Sequence, residues 1–236
     1  MIKNKKRELF SLSTTAKGTI YYSFDDNFIG EVKKMLQQCY RRNVKFFKRE
    51  IDGVDLVLLY TRQEMDDLSG HKTPPWLVGR ADPSTQSQIC IFSPEVFEKV
   101  SNHNKNEFKK ILCHEIAHLF TSAIHKGYRP QWFDEGLACF VAGQINLASN
   151  FSINFNPRTI FLLGTSKQWS KNVAKPSIQG YWHSWRAVSY LIKKYGKLQL
   201  LYFLSSLGDR CNNIIFYKKF RHVYNKDFLE VIKQIN

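Results

Sequence analysis

"KKILCHEIAHLFTSAIHK", residues Lys109–Lys126, contains two histidines four positions apart with a glutamate beside the first. Apolar residues from Phe108 to Phe120 recur at helical spacing, which predicts a helix. Because residues four apart share one face of a helix, His114 and His118 can direct imidazole nitrogens at one point. His-Glu-x-x-His is the spacing that zinc hydrolases use. Taken alone, the stretch fits either a metal site or an ordinary helix with two partly exposed histidines.

A third ligand would favour the metal site, because zinc hydrolases of this type use three protein ligands and keep a fourth position for water or substrate. The stretch "RPQWFDEGLACFVAG", residues 129–143, places Glu135 in the second turn of another predicted helix. Seventeen positions separate Glu135 from His118, which is enough chain for a turn and an antiparallel return. We expect the small residues Gly136 and Ala138 to let the second helix approach the first closely.

The pair "HEIAH" and "WFDEGLA" resembles the gluzincin class of zinc metallopeptidases. The signature of that class is His-Glu-x-x-His followed by a glutamate ligand in a Trp-x-x-Glu-Gly-x-Ala-like helix. The order of predicted elements, from about residue 30 to the C-terminus, is similar to that of the small peptidase-MA-like families. This resemblance implies one zinc ion per chain, with His114, His118 and Glu135 as its ligands.

The resemblance also implies metal-assisted hydrolysis of peptide bonds. Zinc lowers the pKa of its bound water toward about 7 and polarises the scissile carbonyl. Glu115 would act as the general base. Tyr181 matches the aromatic residue that gluzincins use to stabilise the oxyanion, and His183 is the neighbouring alternative. Asp134 either orients a ligand imidazole or is an exposed helix residue.

Two departures limit the resemblance. Cys139 stands where thermolysin-like enzymes place an aspartate four residues after the ligand glutamate. The Gly-x-Met-Glu-Asn segment by which large M1-type aminopeptidases hold a free amino end is absent. Aminopeptidase activity is therefore not supported by the sequence.

Two other functions remain open. The alternative to a peptidase is a non-catalytic or regulatory zincin-like binding protein, although the presence of Glu115 argues against it. The net charge of +15 and pI near 9.6 would suit an anionic partner, and they suggest a peptidase that acts on a nucleic-acid-associated protein. A generally basic surface explains the charge equally well, because no nucleic-acid motif accompanies it.

Composition and cysteine content indicate an ordinary globular protein from a reducing compartment. The 236 residues are 43% hydrophobic and 23% charged, which does not suggest disorder. The five cysteines are odd in number and far apart, so no disulfide framework or Cys-x-x-Cys site is predicted. No secretory signal and no membrane-spanning run are apparent. We expect a cytoplasmic protein.

The predicted fold class is α+β and zincin-like, with a small mixed sheet packed on the motif helix and a mainly helical C-terminal half. Residues 1–26 are expected to be an N-terminal extension. Residues 27–236 are expected to be a single domain, with an α/β part to about 127 and a helical part over 128–236. The pattern predicts strands at 52–61, 76–78 and 87–93 and helices at 27–47, 62–68, 106–127, 130–142, 181–196, 197–207 and 227–236.

Several residues have two interpretations. The strand "SQICIFS" at 87–93 is either an edge strand that pairs with substrate or a core strand. His71, His103 and His125 have no ligand spacing and are expected at the surface. Cys113 and Cys139 are expected to serve packing. The segment 143–180 gives no clear pattern and is expected to frame a cleft.

Overall fold

The computed structural model describes residues 5–82, 85, 87–125, 127–144 and 154–235. The chain divides into two compact units, one up to Phe120 and one from Thr121. Within the described part of the chain, no helix has both the length and the apolar character that a membrane span requires.

The first unit is built on a mixed sheet with the strand order β1-β2-β3-β5-β4. The outer pairs β1–β2 and β4–β5 are antiparallel, whereas β2–β3 and β3–β5 are parallel. The predicted mixed sheet is thus confirmed. Its strands are β1 Lys5–Ser11, β2 Lys17–Ser23, β3 Gly53–Leu59, β4 Gly79–Asp82 and β5 Gln88–Phe92.

Two sequence predictions about this sheet are wrong. Residues 1–26 are not simply an extension, because Lys5–Ser11 and Lys17–Ser23 form an antiparallel pair that joins β3. The strand predicted at 76–78 lies instead at Gly79–Asp82. Both features depend on pairing between strands that are distant in the sequence, and local composition does not predict such pairing.

β5 lies in the interior of the sheet. It pairs with β3 on one side and β4 on the other, and Ile89 and Ile91 are fully buried. The core interpretation of "SQICIFS" is therefore correct, and β4 is the edge strand on this side of the sheet.

Three of the helices that begin in the first unit, Ile29–Phe47, Arg62–Ser69 and Phe108–Ile124, were predicted, and the short helix Phe97–Val100 was not. Thr61 and Glu64 form a reciprocal capping box at the start of α2, and Gly70 ends that helix in the left-handed conformation. These helices are α1 Ile29–Phe47, α2 Arg62–Ser69, α3 Phe97–Val100 and α4 Phe108–Ile124, with a 3₁₀ turn at Lys105–Glu107 before α4.

Arg62 holds the loop that leads into β4. Its guanidinium donates to the carbonyl oxygens of Pro74, Pro75 and Leu77, at 2.7 Å for Leu77, and also to that of Val100. The planar donor group of arginine suits such a set of acceptors. The chain therefore enters β4 along a fixed path.

The second unit is helical, as predicted. Three of its helices, at Pro157–Phe161, Ser166–Asn172 and Asn213–Tyr224, were not predicted, although the buried residues Phe216, Phe220 and Tyr224 of the last one have helical spacing. The helices are α5 Gln131–Ala142, α6 Pro157–Phe161, α7 Ser166–Asn172, α8 Gly180–Tyr195, α9 Lys197–Ser206, α10 Asn213–Tyr224 and α11 Phe228–Ile232. Residues 145–153 of the predicted cleft segment lie outside the described residues.

Aromatic side chains form the core of this unit. The ring of Phe203 lies 5.1–5.7 Å from the rings of Phe133, Phe216 and Phe220, and Trp132 stacks on Phe228 at 5.1 Å. Because α5 contributes both Trp132 and Phe133, this core fixes the orientation of α5.

Gly136 on α5 faces α8. A Cβ atom at position 136 would lie 2.2 Å from the carbonyl oxygen of Ser184 and 2.9 Å from a methyl group of Val188. Gly136 thus permits a close approach of α5 to α8, whereas the sequence led us to expect an approach to the motif helix.

We predict that Gly136→Ala lowers the free energy of unfolding by about 1–3 kcal/mol, since α5 and α8 must separate to admit the methyl group. Urea unfolding followed by circular dichroism measures the change. Gly30→Ala is the matched control, because a Cβ on this helical glycine meets nothing within 4 Å; it should be neutral or stabilise by up to about 1 kcal/mol. Equal stabilities of the two variants would contradict the packing described here.

Candidate metal centre

His114 and His118 lie one turn apart on α4 and direct the same ring nitrogen at each other. Their Nε2 atoms are 3.0 Å apart, and the ring planes are inclined by 77°. His114 is only 6% exposed. Two imidazoles arranged in this way present their lone pairs to one shared point.

Glu135 completes a group of donors. His114, His118 and Glu135 each offer one ligand atom, and these atoms all lie within 4.8 Å of one another. Two nitrogens bound to one tetrahedral zinc ion at 2.0–2.1 Å would be about 3.3 Å apart, close to the spacing of the histidine pair. Two imidazoles and a carboxylate are also a donor set that zinc accepts. The residues therefore fit a zinc ion.

Within the second unit, Glu135 is buried on α5, with 8% exposure. Gln131, one turn earlier on the same helix, donates from its side-chain Nε2 to Oε1 of Glu135 at 2.9 Å. A buried carboxylate needs such donors, because the cost of removing it from water is otherwise large. Gln131 was not identified from the sequence.

Asp134 joins the last turn of α4 to the first turn of α5. Its Oδ1 accepts hydrogen bonds from Thr121 Oγ1 and Arg129 Nε, both at 3.0 Å. Arg129 also donates to the carbonyl oxygen of His125 and to Ser122 Oγ. The interpretation of Asp134 as an exposed residue is wrong, and its role in orienting an imidazole stays a prediction.

Glu115 lies against the edge strand β4. The backbone N–H of Ala81 donates to Glu115 Oε2 at 2.8 Å. A Cβ at Gly79 would lie 3.1 Å from Cγ and 3.2 Å from Oε1 of the same side chain. Glu115 is 8% exposed, so β4 limits the positions that its carboxylate can take. The sequence did not reveal these contacts, because the register of β4 decides them.

Tyr181, the predicted oxyanion donor, is the second residue of α8. It is 39% exposed, and its ring meets that of Trp169 edge to face at 5.0 Å. Its role stays a prediction.

His183, the alternative donor, is buried and held on both ring nitrogens. The backbone N–H of Asn156 donates to Nε2 at 3.1 Å, and Nδ1 lies 3.4 Å from the carbonyl oxygen of Gln179. Burial lowers the pKa of His183, which favours the neutral ring. Nε2 is thus an acceptor in this structure, and the choice between Tyr181 and His183 as the oxyanion donor stays a prediction.

The remaining histidines are not all at the surface. His71 is exposed, but His103 is partly buried and bonded to Glu107. His125 is 3% exposed, so the prediction is wrong for it, and desolvation lowers its pKa. Cys113 and Cys139 are buried and not disulfide-bonded, which agrees with the packing role expected of them.

Comparison with known proteins places this geometry in a family. The sequence matches the family model described as "Peptidase MA superfamily" over residues 84–229, which is more than half of the chain. No curated protein matches the sequence.

The fold is similar to that of several solved structures. Aminopeptidase A of Legionella pneumophila, in complex with aspartic acid, has 12% identity and a TM-score of 0.62 over 99% of this chain and 28% of its own. An M1 zinc metallopeptidase of Deinococcus radiodurans has 13% identity and a TM-score of 0.52, over 97% of this chain and 51% of its own. A two-domain M1 zinc metallopeptidase mutant bound to L-arginine has 14% identity, a TM-score of 0.54 and the same coverage.

At these identities the similarity concerns the fold, and the chain spans 28–51% of the length of these proteins. The neighbours confirm the predicted zincin-like architecture. The match of the family model over more than half of the sequence shows that the chain belongs to the peptidase MA superfamily.

Proposed function

We propose that this protein is a zinc-dependent metallopeptidase of the gluzincin type that hydrolyses peptide bonds. The observation that carries the proposal is the grouping of His114, His118 and Glu135, whose ligand atoms lie within 4.8 Å of one another. Membership of the peptidase MA superfamily supports the reaction class.

The three side chains would hold one zinc ion through two ring nitrogens and a carboxylate oxygen. When bound, zinc supplies Lewis acidity, which acidifies a water molecule and polarises a carbonyl oxygen. Burial of His114 and Glu135 excludes competing water from the ligands and strengthens their attraction to a cation.

Glu115 is the proposed general base. It follows His114 directly on α4, and it is not one of the three grouped donor residues. The carboxylate would take a proton from the attacking water and deliver it to the leaving amine. The hydrogen bond from Ala81 N–H to Oε2 fixes the orientation of the carboxylate for this transfer.

Tyr181 is the proposed donor to the developing oxyanion. A phenol can donate one hydrogen bond to the carbonyl oxygen as negative charge forms there. Tyr181 is 39% exposed, and the contact with Trp169 restricts its ring.

The proposed substrate is a peptide or a protein in extended conformation. β4 pairs only with β5 among the described strands, so its other edge presents backbone groups to which an extended chain can add. Aspartic acid and L-arginine are bound in two of the structures of similar fold. Because the Gly-x-Met-Glu-Asn segment is absent, we assign no preference for a free amino end.

Metal content is the first test of the proposed function. Purified wild-type protein should contain one zinc ion per chain by elemental analysis, and Glu135→Ala should contain much less because one of three ligands is lost. Glu115→Gln should keep its zinc but lose most hydrolysis of a peptide library, because an amide cannot accept the proton.

Glu230→Ala, an exposed change on α11, is the control and should match wild type in both measurements. Wild-type protein that binds no zinc after reconstitution would overturn the proposed function. Zinc binding without hydrolysis would favour the non-catalytic alternative.

Gly79→Ala tests the role of β4. The added methyl group would meet the carboxylate side chain of Glu115, so kcat should fall about tenfold, equivalent to about 1.4 kcal/mol, while the zinc content stays unchanged. Steady-state kinetics and elemental analysis measure the two quantities, with Gly30→Ala as a remote control. Unchanged kcat in Gly79→Ala would show that Glu115 does not depend on this contact.

A further inference from the structure

Gln131 connects the ligand Glu135 to the segment that follows α5 in the chain. Its Nε2 donates to Glu135 Oε1 at 2.9 Å, and its Oε1 lies 3.3 Å from Ser166 Oγ, which donates to it. The two contacts use both ends of one amide. Because an amide nitrogen donates and an amide oxygen accepts, they also set which end faces the carboxylate.

Backbone hydrogen bonds also fix the position of Gln131 next to this segment. Gln131 is the first residue of α5, and its N–H donates to the carbonyl oxygen of Gly164 at 2.9 Å. The N–H of Trp132 donates to the carbonyl oxygen of Leu163 at 3.0 Å. The loop of residues 163–166 therefore satisfies N–H groups that the start of a helix leaves without an intrahelical partner. No side-chain cap is present at Pro130.

The tyrosine before this helix makes a third contact with the loop. Tyr128 Oη donates to the same carbonyl oxygen of Gly164 at 3.2 Å. Gln131 thus has a fixed backbone, and its side-chain contact with Ser166 does not involve Glu135. Gln131 can therefore restrict the orientation of the Glu135 carboxylate, to which it donates.

We propose that Gln131 is a positioning residue for the metal ligand Glu135, and that Ser166 holds Gln131 in the orientation this requires. The inference rests on the proposed function, because it assigns Glu135 to a metal ion. The hydrogen bond selects the rotamer of Glu135 before the metal binds and lowers the conformational entropy lost on binding. Residues that hold metal ligands in this way typically affect metal affinity about 10–100-fold.

The chain offers a matched control for this contact. Gln63 Nε2 donates to Asp67 Oδ1 at 2.6 Å, and these residues are also one turn apart on a helix, α2. This pair is exposed and belongs to no candidate site. Gln63→Met therefore removes the same type of hydrogen bond without touching a ligand.

The experiment compares the zinc dissociation constants of full-length wild type, Gln131→Met, Ser166→Ala and Gln63→Met by competition with a chromophoric chelator. The temperature is kept far below the Tm of the metal-free variants, which is measured in parallel. We expect Gln131→Met to weaken zinc binding about 10–100-fold and Ser166→Ala to weaken it less, with Gln63→Met equal to wild type.

The Co²⁺-substituted proteins provide a second reading, since the visible absorption of Co²⁺ depends on its coordination. A change in this spectrum for Gln131→Met and not for Gln63→Met supports the proposal. A zinc dissociation constant of Gln131→Met within twofold of wild type, whatever its Tm, overturns it and leaves the proposed function standing. Absence of zinc binding by wild type overturns both.

Discussion

Burial of carboxylates is the constraint on which this structure depends. Glu115 and Glu135 are each 8% exposed, and a buried carboxylate is costly unless donors face it. In each unit a different residue supplies a hydrogen-bond donor to the buried carboxylate. In the first, the backbone N–H of Ala81 on β4 donates to Glu115; in the second, Gln131 donates to Glu135. A cation shared by Glu135 and the two histidines would compensate the remaining charge.

This requirement explains features that have no other evident purpose. β4 has only four residues, yet Gly79 removes the side chain that would press on Glu115. Arg62 donates hydrogen bonds to carbonyl oxygens of the loop before β4 and so fixes the path of the chain into this strand. The edge of the sheet thereby supports a side chain of α4.

The second unit holds α5 by packing as well as by hydrogen bonds. Trp132 and Phe133 enter an aromatic core, while Gly136 brings α8 within van der Waals contact of α5. The hydrogen bond from Thr121 to Asp134 ties α5 to the end of α4. Since Glu135 lies between these anchors in the sequence, its backbone is well fixed. A ligand held this way loses little freedom when a metal binds.

The sequence by itself determined which residues form the candidate site. His114, Glu115, His118 and Glu135 follow from two short motifs, and the apolar spacing around them predicts α4 and α5, because helical periodicity is a local property. The spacing of Phe216, Phe220 and Tyr224 also indicates a helix, although α10 was not predicted. The grouping of the donors within 4.8 Å agrees with the predicted ligand set.

Tertiary structure decided the surroundings of those residues. β1 is rich in charged residues and forms a strand because it pairs with β2, which in turn pairs with β3 some 30 residues later. The register of β4 places Gly79 and Ala81 against Glu115. Burial distinguishes His183 and His125 from surface histidines. Sheet pairing, register and burial arise between residues far apart in the chain, so no local pattern of amino acids encodes them.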